Sequence, residues 1–267
     1  MNLGKRIDTT GYDTTSEKAP YYFDIYEGWF ENLVDREIRL LELGINKGQS
    51  LLVWRNYFEK GAIVGLDVNP VHIDDPSGRI HVYRGYQQDT ELLSRIAHEQ
   101  APEGFDVIID DCSHIGELTR ISFWHLFRNH LKPGGLYVIE DVGTAFMNDF
   151  PDGKAFSAPP PPKTTSIALK VQQPQSRLFS MLKARTKKLL PPGVAQSLSR
   201  SSLFVRLYNF ANPNRHYKRP FASNTYGMIG FVKQLIDFCL IGRYVKGNDI
   251  QELHVYQNVV VVVKSGQ

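Results

Sequence analysis

The sequence predicts an α/β fold: a doubly wound, mostly parallel sheet of seven strands, with an antiparallel C-terminal hairpin and a basic insertion ahead of it. Three observations carry this. From about residue 20 to residue 140, short apolar runs alternate with helical patterns, as βαβ units do. Two of those runs end in paired carboxylates, Asp110-Asp111 and Glu140-Asp141, and strand ends are where open α/β sheets place their chemistry. The chain closes on two strand-like runs joined by a tight turn, which makes them a hairpin candidate.

The elements follow in order. Tyr21 to Leu33 is rich in aromatic residues and reads as a helix. Arg39 to Leu43 is a buried strand that runs into a glycine turn, and Gln49 to Phe58 is the helix beyond it. Ala62 to Asp67 and Ile80 to Tyr83 are strands, and Thr90 to Gln100 is helical. Phe105 to Asp110 is a strand, Glu117 to His130 a helix, and Gly135 to Glu140 a strand, with Lys132-Pro133-Gly134-Gly135 a strong turn signal between the last two. The pattern breaks at Pro151. From there to about Pro220 the chain carries Pro159 to Pro162 and Pro191-Pro192-Gly193 among Ser and Lys, which reads as a lid, an insertion or a loop. An apolar helix at Gly227 to Leu240 restores regular structure, and strands at Ile250 to Tyr256 and Asn258 to Lys264 end it. There is no internal repeat. The reading is therefore one domain over residues 1 to 267, with 151 to 220 as a basic, Pro-containing insertion within it.

Composition bounds the function classes. A 42% hydrophobic content over 267 residues is ample for a core. The N-terminus has no apolar run behind its positive charges, and no stretch approaches the roughly 20 apolar residues needed to span a bilayer. Only Cys112 and Cys239 are present, too few for a disulfide framework and not in a zinc-type spacing, so a reducing cytoplasm is expected. The net charge of +3 hides an uneven distribution. Residues 151 to 220 hold thirteen basic residues and one acid, Asp152, whereas the remainder is a mildly acidic body. Within that segment, Arg177 to Leu190 combines apolar and cationic residues at roughly helical spacing, as a helix lying on an anionic membrane or covering an anionic or lipid-linked acceptor would; a solvated basic helix fits equally.

The chemistry gathers at strand ends. Phe105 to Asp110 runs on into Asp111-Cys112-Ser113-His114, and the next strand ends in Glu140-Asp141. Two acidic pairs and a histidine make a candidate divalent-metal site with a proton acceptor beside it, where single acids would merely cap helices. Asp110 and Asp111 face opposite ways on an ideal strand, so one of them is a metal ligand and the other organises the surroundings. His125 and His130 read as ordinary helix residues. Gly44 and Gly48 accommodate positive φ and let the backbone pass close to a ligand, at a helix N-terminus that presents free N–H groups to a carboxylate or phosphate. The spacing is neither the dinucleotide fingerprint nor a P-loop. Asp67, about twenty residues beyond that turn, is placed to accept hydrogen bonds from ribose hydroxyls, or else to cap a turn.

With Glu42, Gly44 and Gly48 as acid-x-Gly-x-x-x-Gly and Asp67 ending the second strand, the chain resembles the class I S-adenosylmethionine-dependent methyltransferases, and the implied fold is the Rossmann-like methyltransferase fold. More narrowly, Asp110 to His114 with Glu140-Asp141 is similar to the metal-dependent sugar O-methyltransferases of macrolide biosynthesis. Leu253 to Asn258 ahead of the valine run also resembles that family, and so does Thr15-Ser16-Glu17-Lys18, where the family has Gly-Thr-Asp-Lys; Ala19-Pro20-Tyr21 then stands where the family often has a histidine.

The resemblance implies S-adenosyl-L-methionine and Mg²⁺ as cofactors. It implies Asp111, Glu140 and Asp141 as metal ligands and His114 as general base, with Asp111 part of the catalytic set. Glu42, Gly44, Gly48, Asp67, Gln88, Asp89 and Asp110 would line the cofactor side, although Asp89 can equally cap the helix starting near Thr90. The expected acceptor is a sugar hydroxyl on a glycosylated small molecule or a lipid-linked glycoside, and a homo-oligomer is expected. The rival enzyme is a Mg²⁺-dependent methyltransferase of catechol-like diols. A nucleic-acid-associated protein lacks a recognition motif here, so no nucleic acid partner is expected, and a silent S-adenosylmethionine-binding scaffold is the last alternative.

Overall fold

The computed structural model describes residues 6–10, 18, 20–156, 225–242 and 248–266. The helix expected at Arg177 to Leu190, with its membrane contact, lies outside the described residues. A seven-stranded sheet runs through the described chain in the order β3-β2-β1-β4-β5-β7-β6, where β1 is Arg39–Leu43, β2 Ala62–Asp67, β3 Ile80–Arg84, β4 Phe105–Asp110, β5 Leu131–Ile139, β6 Ile250–Val255 and β7 Val260–Lys264. The first five strands are parallel, and β7 lies antiparallel between β5 and β6. The helices are α1 (Pro20–Phe30), α2 (Gln49–Tyr57), α3 (Thr90–Gln100), α4 (Gly116–Asn129), α5 (Pro151–Ala155) and α6 (Gly227–Ile241).

Because successive strand residues point to opposite faces, each strand feeds two cores. Leu41, Leu43, Ile108, Tyr137 and Ile139 pack with α3, α4 and α6 on one face. Leu40, Val107, Ile109 and Val138 pack with α1 and α2 on the other. Chain direction through the sheet reverses between β1 and β4, and such a switch point opens a crevice at the strand C-termini.

The expected elements recur with shifted ends. The turn at Lys132 to Gly135 lies inside β5: the β4 partner jumps from Leu131 to Leu136, a bulge opened by Pro133, which has no N–H, and Gly134 at φ +73°. The strand stops at Ile139, one residue before the expected Glu140. The closing hairpin turns at Tyr256 to Val259 with Asn258 at φ +63°, which starts β7 at Val260 instead of Asn258. Beyond the expected break at Pro151 the short helix α5 intervenes. Among the described residues no helix is long and apolar enough to cross a membrane.

Candidate functional site

The strand ends stand in register. Leu43 lies beside both Leu66 and Asp110, and Asp110 lies beside Ile139. The ladder continues one step further, from the Gly44 N–H to the Leu66 carbonyl (2.8 Å), the Asp111 N–H to the Leu43 carbonyl (2.9 Å) and the Glu140 N–H to the Asp110 carbonyl (3.0 Å). Gly44, Asp111 and Glu140 are thus set side by side at the switch point. A cavity of about 590 Å³ opens over the first two, lined among others by Gly44, Asp67, Gln87, Gln88, Asp111, His114 and Asp141.

Strand parity then sorts the acids. Glu42, Asp111 and Glu140 fall on the α1 and α2 face; Asp110 falls on the α4 face. Asp110 is 1% exposed and does not line the cavity: its carboxylate accepts from Ser122 Oγ (3.0 Å) and Tyr137 OH (3.0 Å). Burial pushes its pKa up to about 6, against those two hydrogen bonds, which act to lower it. Among the residues expected on the cofactor side, Asp110 is therefore an anchor for the loop that carries Asp111.

Buried among the other three carboxylates is Lys18. Its ammonium donates to Asp111 Oδ2 and Glu140 Oε1, both at 2.7 Å, and pairs with Glu42 Oε1 at 3.2 Å without hydrogen-bond geometry. Burial acts to lower its pKa, but the charges of Asp111, Glu140 and Glu42 outweigh it and hold it well above the usual lysine value. Tyr26 OH also donates to Glu140 Oε1, while Ser50 Oγ (2.8 Å) and Trp54 Nε1 (3.0 Å) donate to Glu42 Oε2. Glu42 thus reaches the cluster from behind the cavity wall. Glu140 Oε2 is buried with no hydrogen-bond partner.

The outer half is more open. Asp141 accepts from Tyr22 OH at 2.5 Å, and its other oxygen lies 4.0 Å from His114 Nε2. Burial lowers the His114 pKa below 6.5, with Asp141 and Glu140 opposing, so the imidazole is neutral near pH 7. Ser113, His114 and Asp141 all sit at φ between +50° and +53°, a sparsely populated region for non-glycine residues that turns their side chains out of the strand direction.

On the cofactor side, Asp67 Oδ2 accepts from the Ile45 and Asn46 N–H groups (3.0 Å each) and Oδ1 from the Asn69 N–H (2.8 Å). That takes three of a carboxylate's roughly four lone-pair sites, on a residue that lines the cavity. Gly44, at φ +82°, has no room for a Cβ, which would collide with the Asp111 carbonyl. Gly48, at φ +79°, packs against Ile73 and supports the turn without lining the cavity. Gln88 lines the cavity; Asp89 caps α3 through the Leu92 N–H (3.0 Å), the second of its two expected roles.

Among the described residues, two groups of side chains could hold a metal ion, with ligand atoms all within 4.8 Å of one another in each: Asp111, His114 and Asp141, and Glu42, Asp111 and Glu140. Three carboxylates surround one ammonium and Asp141 stands beside Asp111; burial, together with the charges of Glu140 and Asp141, pushes the Asp111 pKa up against Lys18. A hard cation with oxygen ligands fits such a donor set, and the unpartnered Glu140 Oε2 is the atom it would satisfy. Lys18, Tyr22 and Tyr26 were not among the expected site residues; only the likeness of the segment ending in Lys18 to a family motif marked that region.

Sheet order and switch-point cavity together define a Rossmann-like methyltransferase fold. The described chain resembles macrolide and polyketide sugar O-methyltransferases. It is 41% identical over 133 residues to the mycinamicin VI 2''-O-methyltransferase of Micromonospora griseorubida, covering 47% of this chain and 32% of that one. Identity is 36% over 183 residues to the L-olivosyl-oleandolide 3-O-methyltransferase of Streptomyces antibioticus, covering 58% and 45%. Among solved structures, the MycE methyltransferase from the mycinamycin biosynthetic pathway, in complex with Mg, SAH and mycinamycin VI, matches with a TM-score of 0.59 at 27% identity, over 98% of this chain and 56% of that one. The chain thus spans under half the length of these curated relatives. No protein-family profile matches it.

Proposed function

We propose that this chain transfers a methyl group from S-adenosyl-L-methionine to a sugar hydroxyl of a glycosylated small molecule, as a single methyltransferase domain with residues 151 to 220 inserted in it. The observation that carries this is the convergence of Asp111, His114 and Asp141 in one cavity that Gly44 and Asp67 also line. The likeness to sugar O-methyltransferases, one of them solved with Mg and SAH, supports the same reading.

Asp67 would hold a ribose hydroxyl with its remaining lone pair, and the Gly44 turn lets the donor lie against bare backbone. S-adenosylmethionine supplies an electrophilic methyl on a sulfonium. Asp111, Glu140 and Asp141 would hold Mg²⁺, with Tyr22 fixing Asp141 and Tyr26 fixing Glu140. Mg²⁺ in that place supplies Lewis acidity that lowers the pKa of an acceptor hydroxyl. His114, kept neutral by burial, accepts the proton at a ring nitrogen; its Nδ1 is buried without a partner. Phe150, whose ring meets the His114 ring edge-on at 5.6 Å, keeps water from one side of the imidazole.

The test is methyl transfer to a panel of deoxysugar glycosides, with catechols as the competing acceptor class. His114→Ala should lower kcat by about 10² to 10⁴ while S-adenosylhomocysteine still binds, and excess EDTA should abolish turnover. Full activity in EDTA, or preference for the catechols, overturns the sugar-methylation reading.

A further inference from the structure

The Lys18 ammonium has no part in the proposed reaction, although the residue is 3% exposed and sits among three of the four site carboxylates. The potential metal donors form two triads that share Asp111. One, Asp111 with His114 and Asp141, is half-buried; the other, Glu42 with Asp111 and Glu140, lies deeper. Both are tight enough for a metal ion, but the deeper one already contains a cation. Lys18 takes one oxygen from each of its carboxylates: Glu42 Oε1, Asp111 Oδ2 and Glu140 Oε1.

Three further donors hold that deeper set still. Ser50 and Trp54 occupy the second oxygen of Glu42, and Tyr26 shares Glu140 Oε1 with Lys18. Glu140 Oε2 remains, buried and without a partner, on a residue that does not itself line the cavity. An ammonium is a compact point charge, which suits it to stand among three carboxylates, hydrogen-bonded to two and paired by charge with Glu42.

We propose that Lys18 is a positioning residue: a built-in cation that fills the Glu42, Asp111 and Glu140 triad, limits the site to one divalent ion, and fixes Asp111, which both triads share, for that ion. This rests on the metal site of the proposed function. Removing the ammonium leaves three buried carboxylates without a counter-charge, and the deeper triad then takes up a divalent ion of its own.

Mn²⁺ binding measured by calorimetry and by electron paramagnetic resonance separates the outcomes. Wild-type protein should bind one Mn²⁺ per chain, and Lys18→Met two. The double variant Lys18→Met with Glu42→Gln restores the formal charge of the triad and removes one of its donors. It should bind one ion, about 10- to 100-fold more weakly than wild type, because Asp111 and Glu140 are no longer held. Two ions in the wild type, or one ion at wild-type affinity in Lys18→Met, overturns the proposal. Should Lys18→Met fail to fold, the double variant decides, and wild-type affinity there refutes it. A wild-type protein that binds no Mn²⁺ defeats the metal reading itself, which is a separate failure.

Discussion

Asp75 gathers the end of the loop between β2 and β3. Its carboxylate accepts from Ser77 N (3.1 Å), Ser77 Oγ (2.6 Å), Arg79 N (2.8 Å), Ile80 N (2.8 Å) and Arg55 Nη1 (2.9 Å). Burial acts to raise its pKa, yet the hydrogen bonds from Ser77, Ile80 and Arg55 prevail and hold it below the ordinary value of 3.8. A carboxyl whose folded pKa is depressed contributes stability above its unfolded pKa and loses it as pH falls through the folded one. Asp75→Asn should therefore cost about 1.5–3 kcal/mol at pH 7, and the difference in Tm from wild type should shrink as pH drops below about 4. Thermal melts across that range check it; an equal deficit at both ends refutes the charge argument. The same loop carries Ile73 against Gly48, so its order bears on the cofactor turn.

At the scale of elements, α4 and α6 begin at one point. A Cβ on Gly116 would collide with the Gly227 backbone, so the two helix starts touch. Asp152, on α5, fastens them: its Oδ2 accepts from Gly116 N (2.9 Å) and Met228 N (2.8 Å), placing an anion at two helix N-termini. Asp152→Ala would strand two buried N–H groups and should cost about 2–4 kcal/mol. For a chain of this size that is a Tm drop of about 5 to 15 °C, and Asp152→Asn, which keeps one acceptor, should recover part of it. A drop below about 2 °C in Asp152→Ala would refute the fastening role. Pro151-Asp152-Gly153 reads locally as a loop; in α5 its backbone packs against Met147, where a Cβ on Gly153 would collide, while the Asp152 side chain reaches α4 and α6.

Across the whole molecule, the sheet holds the cofactor end and the acidic end of one cavity on different strands: Asp67 on β2, and the residues just past β4 and β5. Gly44 ties the two ends, since the Asp111 backbone fills the space its Cβ would need. A ligand that binds only the folded chain stabilises it by mass action. S-adenosylhomocysteine at about 100 times its Kd should stabilise by about 2.7 kcal/mol, a Tm rise of about 5 to 10 °C. Asp67→Ala should lose that rise under the same conditions, and a variant with the full rise would remove the ribose assignment.

Strand and helix order, the glycine turn and the acids at strand ends were legible in the sequence by itself, because periodicity of two or of 3.6 and turn chemistry are local properties of the chain. The opposite facing of Asp110 and Asp111 followed from strand parity alone. Only the tertiary structure decided that Asp110 is claimed by Ser122 and Tyr137 of the α4 face, and that Asp89 is spent on a helix cap. It alone brought Lys18 against Glu140, 122 residues away in the chain. Such contacts are made by whichever side chains the packed sheet brings together, and their spacing along the chain follows no period that a local pattern could carry.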